Sequence, residues 1–164
     1  MKLRHLAREL SRLEGFARPS PRLEQYVTPP DLAARLLYHA WVRGDIGGRR
    51  VCDLGCGTGI LAVGAALLGA SRVTGIDVDA DAIAVARRNA EKMGVSPTFI
   101  RADISDAGIV ARVGEADTVV MNPPFGAQNP HADRAFVDVA VKIAPVVYGI
   151  FNRGSLPFYR RYLA

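Results

Sequence analysis

The sequence predicts a single α/β domain built on a doubly wound, mostly parallel sheet with helices on both faces. Three observations carry that prediction. First, Val51-Cys52-Asp53-Leu54 runs straight into Gly55, Gly57 and Gly59, and an apolar, helix-length stretch over residues 60–68 follows at once. That is a buried strand, a tight turn and a helix packed back on the sheet. Second, short β-branched runs alternate with helical patterns through the rest of the chain. Third, Asp53, Gly55, Asp77, Asp103 and Asn122 all fall at the C-terminal ends of those runs. Ligands of open parallel sheets bind at such ends, near the point where strand order reverses, so these residues are expected to share one crevice.

Taken in order, Leu3, Leu6, Leu10 and Leu13 recur at spacings of three and four, which predicts an amphipathic helix over residues 2–14 stopped by Gly15. Pro19, Pro21, Pro29 and Pro30 bracket an irregular segment that holds Glu24, Gln25, Tyr26 and Thr28. Thr28 before Pro29, Pro30 and Asp31 reads as the N-cap of a helix running to about Arg43. After the glycine turn and its helix, Arg72-Val73-Thr74-Gly75-Ile76-Asp77 is the second strand and residues 79–93 the next helix, with Ile83, Ala86, Ala90 and Met93 on one face. Residues 98–103 read as a third strand, 105–113 as a weak helix and 117–121 as a fourth strand. A polar loop to about Ala132, a helix through Phe136, Val139, Ala140 and Ile143, and a fifth strand over 146–151 follow, with Ser155 opening a last helix. No repeat or linker divides the chain, so residues 1–28 are expected as a helix and lead-in segment to a core at 29–164.

At 164 residues with 49% apolar content the chain can bury a sizeable core, and no apolar run is long enough to span a bilayer. The formal charge is +5, and all but three of the 21 cations are arginine. That balance suits contact with nucleic-acid phosphates and equally suits a compositional preference for arginine. Cys52 and Cys56 lie in and just after a strand, where a disulfide would fight the backbone geometry, and no second cysteine pair or histidine cluster completes a metal site. Two reduced cysteines and the lack of a secretory or transit pattern point to the cytoplasm.

The details of the glycine turn narrow its ligand. A dinucleotide-binding turn reads G-x-G-x-x-G and seats a pyrophosphate on the helix N-terminus. Here the third glycine comes one residue early, Ile60 stands in its place, and Asp53 precedes the loop. An acid there repels phosphate and suits an ammonium group. D-x-G-x-G-x-G is similar to the first motif of S-adenosylmethionine-dependent methyltransferases, whose cofactor has an amino-acid tail and no phosphate. Asp77, about twenty residues past the glycines, is placed to take both ribose hydroxyls of an adenosine. Asp103 is placed within reach of an adenine amino group.

Asn122-Pro123-Pro124-Phe125 is the most informative tetrapeptide in the chain. Two prolines remove two amide donors and stiffen the turn. The Asn122 side chain and the Pro123 carbonyl can then accept both hydrogens of a planar amine, and Phe125 can stack on a planar ring. The alternative is a plain proline-rich turn with Phe125 in the core. The tetrapeptide resembles the N/D-P-P-Y/F/W motif of methyltransferases acting on adenine N6, guanine N2 and glutamine amides.

More narrowly, Leu23-Glu24-Gln25-Tyr26-x-Thr28-x-Pro30, the glycine loop and Asn122-Pro-Pro-Phe-Gly126 resemble the methyltransferase-like protein 5 group, ribosomal RNA adenine-N6 methyltransferases and their archaeal relatives. The resemblance covers residues 10–151 and implies a Rossmann-like class I methyltransferase fold with S-adenosyl-L-methionine as cofactor. It implies that Gln25 and Thr28 join Gly55, Gly57, Thr58, Ile60, Asp77 and Asp103 in the cofactor site, and that Asn122 and Phe125 hold a flipped adenine. It also implies a small zinc-ribbon activator; independently, the third strand is the expected edge of the parallel sheet, and Phe99 and Ile100 there offer a backbone ladder on which such a partner can add a strand. One departure stands out: the family's sheet continues into an antiparallel pair of strands for which this chain has no residues left, so a sheet without its last two strands, in a fragment, is expected.

Two rivals remain at this stage. A protein glutamine N5-methyltransferase of the release-factor type also uses Asn-Pro-Pro, although with Tyr next. A methyltransferase fold kept as a silent scaffold would show damage in the cofactor loop or the Asn-Pro-Pro-Phe turn, and neither is damaged.

Overall fold

A computed structural model describes residues 1–127 and 129–164. Five parallel strands form one sheet in the order β3-β2-β1-β4-β5. They are β1 (Arg50–Leu54), β2 (Arg72–Asp77), β3 (Thr98–Arg101), β4 (Thr118–Met121) and β5 (Val146–Gly149). The chain winds outward from β1 to β3, then returns to β4 on the other side of β1. Strand order therefore reverses between β1 and β4, and a crevice opens above their C-terminal ends.

Side chains alternate across each strand and divide the core in two. Val51, Val73 and Val120 face one layer, packed by α1 (Leu3–Leu10), α2 (Pro30–Val42), α3 (Ile60–Leu67) and α4 (Ala80–Lys92). Cys52, Leu54, Val119 and Met121 face the other, packed by α5 (Ile109–Val113), α6 (Ala132–Ile143) and α7 (Leu156–Tyr162). Asp53 shares the parity of Val51 and so points toward α3 from the middle of the sheet. Both cysteines are free and buried. Among the described residues no helix is long and apolar enough to cross a membrane.

Several expected boundaries move. α1 ends at Leu10, because Leu6 and Leu10 already sit fully against the core and the chain then turns to cross the sheet top. Thr28 is not the cap of α2: Pro29 holds that position, and the Thr28 hydroxyl is spent on Asn122 instead. β3 stops at Arg101, α5 begins only at Ile109, and β5 stops at Gly149, after which the Ile150 amide still donates to the Met121 carbonyl. The five strands leave β3 and β5 as edges, and the family's antiparallel pair has no counterpart among the described residues.

Candidate active site

The crevice above β1 and β4 encloses about 450 Å³, within the range typical of small-ligand sites. Its floor is the turn from β1 to α3. Gly55 and Gly57 take φ of 69° and 52°, and a Cβ on either would lie under 3 Å from the ring of Phe136 or Phe16. Only glycine gives that conformation and that clearance at once. Thr58 and Ile60 are buried where the turn enters α3.

Three acids face this floor, each in a different state. Asp53 is 1% exposed; its Oδ2 accepts from the Ala62 amide at 3.0 Å, and its Oδ1 has no partner among the described residues. Burial pushes its carboxyl up to about 8. Asp77, the last residue of β2, accepts from the Gly57 amide at 2.8 Å and the Asp79 amide at 2.9 Å. It thereby pins the glycine turn to β2, a role beyond the ribose contact expected of it, and burial raises its pKa as well. Asp103 is exposed; the Ser105 hydroxyl and amide, at 2.6 and 2.9 Å, hold its carboxyl below the usual range.

The roof is the segment between α1 and α2, which forms a strap across the strand ends. Its start is anchored on α4: Asn89, fully buried, donates to the carbonyls of Glu14 and Thr58 and accepts from the Glu14 amide. Midway, Gln25 donates to Asp79 at 2.6 Å and accepts from the Ser20 amide. That bond lowers the pKa of Asp79. At the end, Thr28 accepts from Asn122 Nδ2 at 2.9 Å. Between these anchors the Glu24 carboxylate accepts from the amides of Phe125, Gly126 and Ala127.

All of Gln25, Thr28, Asp53, Gly55, Gly57, Thr58, Ile60, Asp77, Asp103, Asn122, Pro123 and Phe125, expected to meet, line this one crevice. Phe125 is 49% exposed at the mouth, so it is not a core residue. Gln128, next to this turn, lies outside the described residues. Four site residues were missed. Glu24 stands in the Leu23–Tyr26 motif but was given no role, Phe16 carries no sequence signal beyond proximity to the prolines, and Phe136 read as core. Asn89 could have been found as a polar residue amid the apolar stripe of α4. Among the arginines, Arg12 is paired with Glu9 at 2.8 Å, whereas Arg22 lines the crevice.

An unpaired buried carboxyl oxygen, an exposed aromatic ring and a glycine floor in one crevice suit a ligand with a cationic tail together with a planar ring.

Comparison with known proteins agrees with this geometry. Residues 38–123 match the family Ribosomal protein L11 methyltransferase (PrmA). An rRNA N(6)-adenosine-methyltransferase of Drosophila melanogaster is 40% identical over 98% of this chain and 78% of its own. An uncharacterized protein of Methanocaldococcus jannaschii is 40% identical over 99% of this chain and 77% of its own. A Pyrococcus horikoshii crystal structure, described as that of a candidate RNA methyltransferase, superposes with a TM-score of 0.88 at 41% identity, covering 99% of this chain and 76% of that one.

Proposed function

Since this chain belongs to the METTL5 family of rRNA N6-adenosine-methyltransferases and shares the broader L11-methyltransferase pattern over residues 38–123, we propose that it methylates N6 of an adenine in RNA, with ribosomal RNA as the substrate. The observation that carries this reading is the Asn122 side chain at the end of β4. Its Nδ2 is held by Thr28, which fixes the amide plane, and its Oδ1 has no partner among the described residues. Oδ1 and the Pro123 carbonyl then accept the two hydrogens of the exocyclic amine, turning the nitrogen lone pair toward the crevice. Phe125 stacks on the base, which must leave its helix to reach this depth. S-adenosylmethionine supplies a methyl group already activated on a sulfonium, so no strong base is needed and positioning is the main catalytic contribution. Asp53 Oδ1 takes the cofactor's ammonium, Asp77 its ribose hydroxyls and Asp103 its adenine amine, with Gln25, Thr28, Gly55, Gly57, Thr58 and Ile60 closing round it.

A protein substrate is the second reading, favoured by the L11-methyltransferase pattern. That pattern stops at Pro123, short of Phe125, and omits the strap altogether. The match to the RNA methyltransferase runs through both. Offering methyl-labelled S-adenosylmethionine to ribosomal RNA and ribosomal proteins together tests the choice: label should enter RNA, and label in protein alone would reverse it. The open edge of β3 supports a small zinc-binding partner there, and the buried thiols support a reducing, cytoplasmic setting. A fully active isolated monomer would remove the need for the partner.

Asp53 makes cofactor binding pH-dependent. Its folded value of about 8 lies above an ordinary value of about 3.9, so at pH 7 the empty site holds a proton that pairing with an ammonium expels. Affinity should therefore rise with pH toward 8. It should fall beyond that as the cofactor's own amino group, at about 7.7–8.0, loses its charge. Without cofactor the sign applies to stability too: the folded state binds the extra proton, so stability falls between about pH 4 and 8. Calorimetry at pH 7 in buffers of different ionisation enthalpy should show up to about one proton released. Asp53→Asn should release none; equal release from both proteins would remove the assignment.

A further inference from the structure

The prolines at 123 and 124 have no amide hydrogen, so the first three backbone donors after Asn122 are the amides of Phe125, Gly126 and Ala127. All three converge on one side chain from the strap. Glu24 Oε1 accepts from Phe125 at 3.2 Å and from Ala127 at 3.3 Å, and Oε2 accepts from Gly126 at 3.2 Å. Successive amides aimed at one point form a concavity for an anion, and here the protein fills it with its own carboxylate. Glu24 does so from a left-handed backbone conformation, φ 50° and ψ 45°, which is uncommon for a residue with a side chain. Strain of this kind persists where the surroundings over-determine it, and it clusters at functional sites.

Four residues along the strap, Thr28 holds the Asn122 amide. One short segment therefore grips both ends of the turn that receives the base: Thr28 at Asn122, Glu24 at residues 125–127. Gln25, between them, fastens the same segment to Asp79 beside the cofactor floor. We propose that Glu24 is a positioning residue for methyl transfer, holding the amides of residues 125–127 so that Phe125 and Asn122 stand in the pose that receives the target base. It touches neither base nor cofactor in this role. The proposal rests on the reading of Asn122 and Phe125 given above.

Glu24→Gly separates the carboxylate from the backbone, because glycine accepts φ of 50° freely and removes only the acceptor. In the full chain, its kcat on RNA should fall at least about tenfold while cofactor affinity stays within about twofold. Glu24→Gln keeps Oε1 for two of the amides and should lie between glycine and wild type. Amide exchange at residues 125–127, followed by NMR without RNA, should quicken in Glu24→Gly while Val119 and Val120 in the fourth strand stay unchanged. Wild-type kcat in Glu24→Gly would make the residue a turn former and overturn the proposal. So would cofactor affinity falling in step with kcat, or tighter RNA binding at full kcat, which would make the concavity a phosphate site that the carboxylate blocks. If wild type does not methylate RNA, the reading of the site fails, and the exchange experiment still decides whether Glu24 holds the turn.

Discussion

Asn122→Ala should lower kcat for methyl transfer at least about 100-fold and leave cofactor affinity within about twofold. The residue directly follows β4, whose ladders to β1 and β5 hold the backbone up to its neighbour Met121. Its one described side-chain bond goes to Thr28 and to none of the acids that face the glycine turn. Removing the amide deletes the acceptor for the amine hydrogens while leaving Asp53, Asp77 and the floor intact. Only the orientation of the amine is lost, and a reaction that depends on positioning should lose most of its rate. Single-turnover rates and calorimetry on the same variant check the split. Equal loss of rate and cofactor affinity would mean the turn is structural.

Asp77→Ala should have the complementary effect. Two charge-assisted bonds to ribose hydroxyls are worth about 1.5–3 kcal/mol or more, so binding of S-adenosylmethionine should weaken at least about tenfold. The loss should exceed that of a simple contact residue, because the same carboxylate pins the Gly57 and Asp79 amides. Asp77→Asn keeps one acceptor oxygen and the side-chain volume, and should fall between alanine and wild type. Unchanged affinity in a folded Asp77→Ala protein would remove the ribose assignment.

What the sequence made legible was whatever a local pattern encodes. β2 was placed to the residue by its β-branched run, and the glycine turn by three residues that few other structures require. The convergence of Asp53, Asp77, Asp103 and Asn122 followed from parallel-sheet geometry, since each lies within two residues of a strand's C-terminal end. The strap was not legible beyond its resemblance to a family, because its structure is set by partners distant in the chain. Glu24 meets amides about 100 positions away, Gln25 meets Asp79, and Glu14 meets Asn89. Nothing in the local spacing announces such pairs. Thr28 shows the limit most clearly: Thr before Pro-Pro-Asp is a sound capping pattern, and a tertiary bond to Asn122 claims the hydroxyl instead. α1, β3 and β5, which came out short as α5 did, lie at the borders of the domain. There packing, more than propensity, decides where an element stops.

The central claim is that this crevice delivers a methyl group to the exocyclic nitrogen of adenine. Mass spectrometry of nucleosides from ribosomal RNA, digested after incubation with the wild-type protein and isotopically labelled S-adenosylmethionine, tests it most directly. The account predicts label in N6-methyladenosine and its absence with Asn122→Ala. Label in another nucleoside, or RNA left unlabelled by a wild-type protein that binds the cofactor, would contradict it.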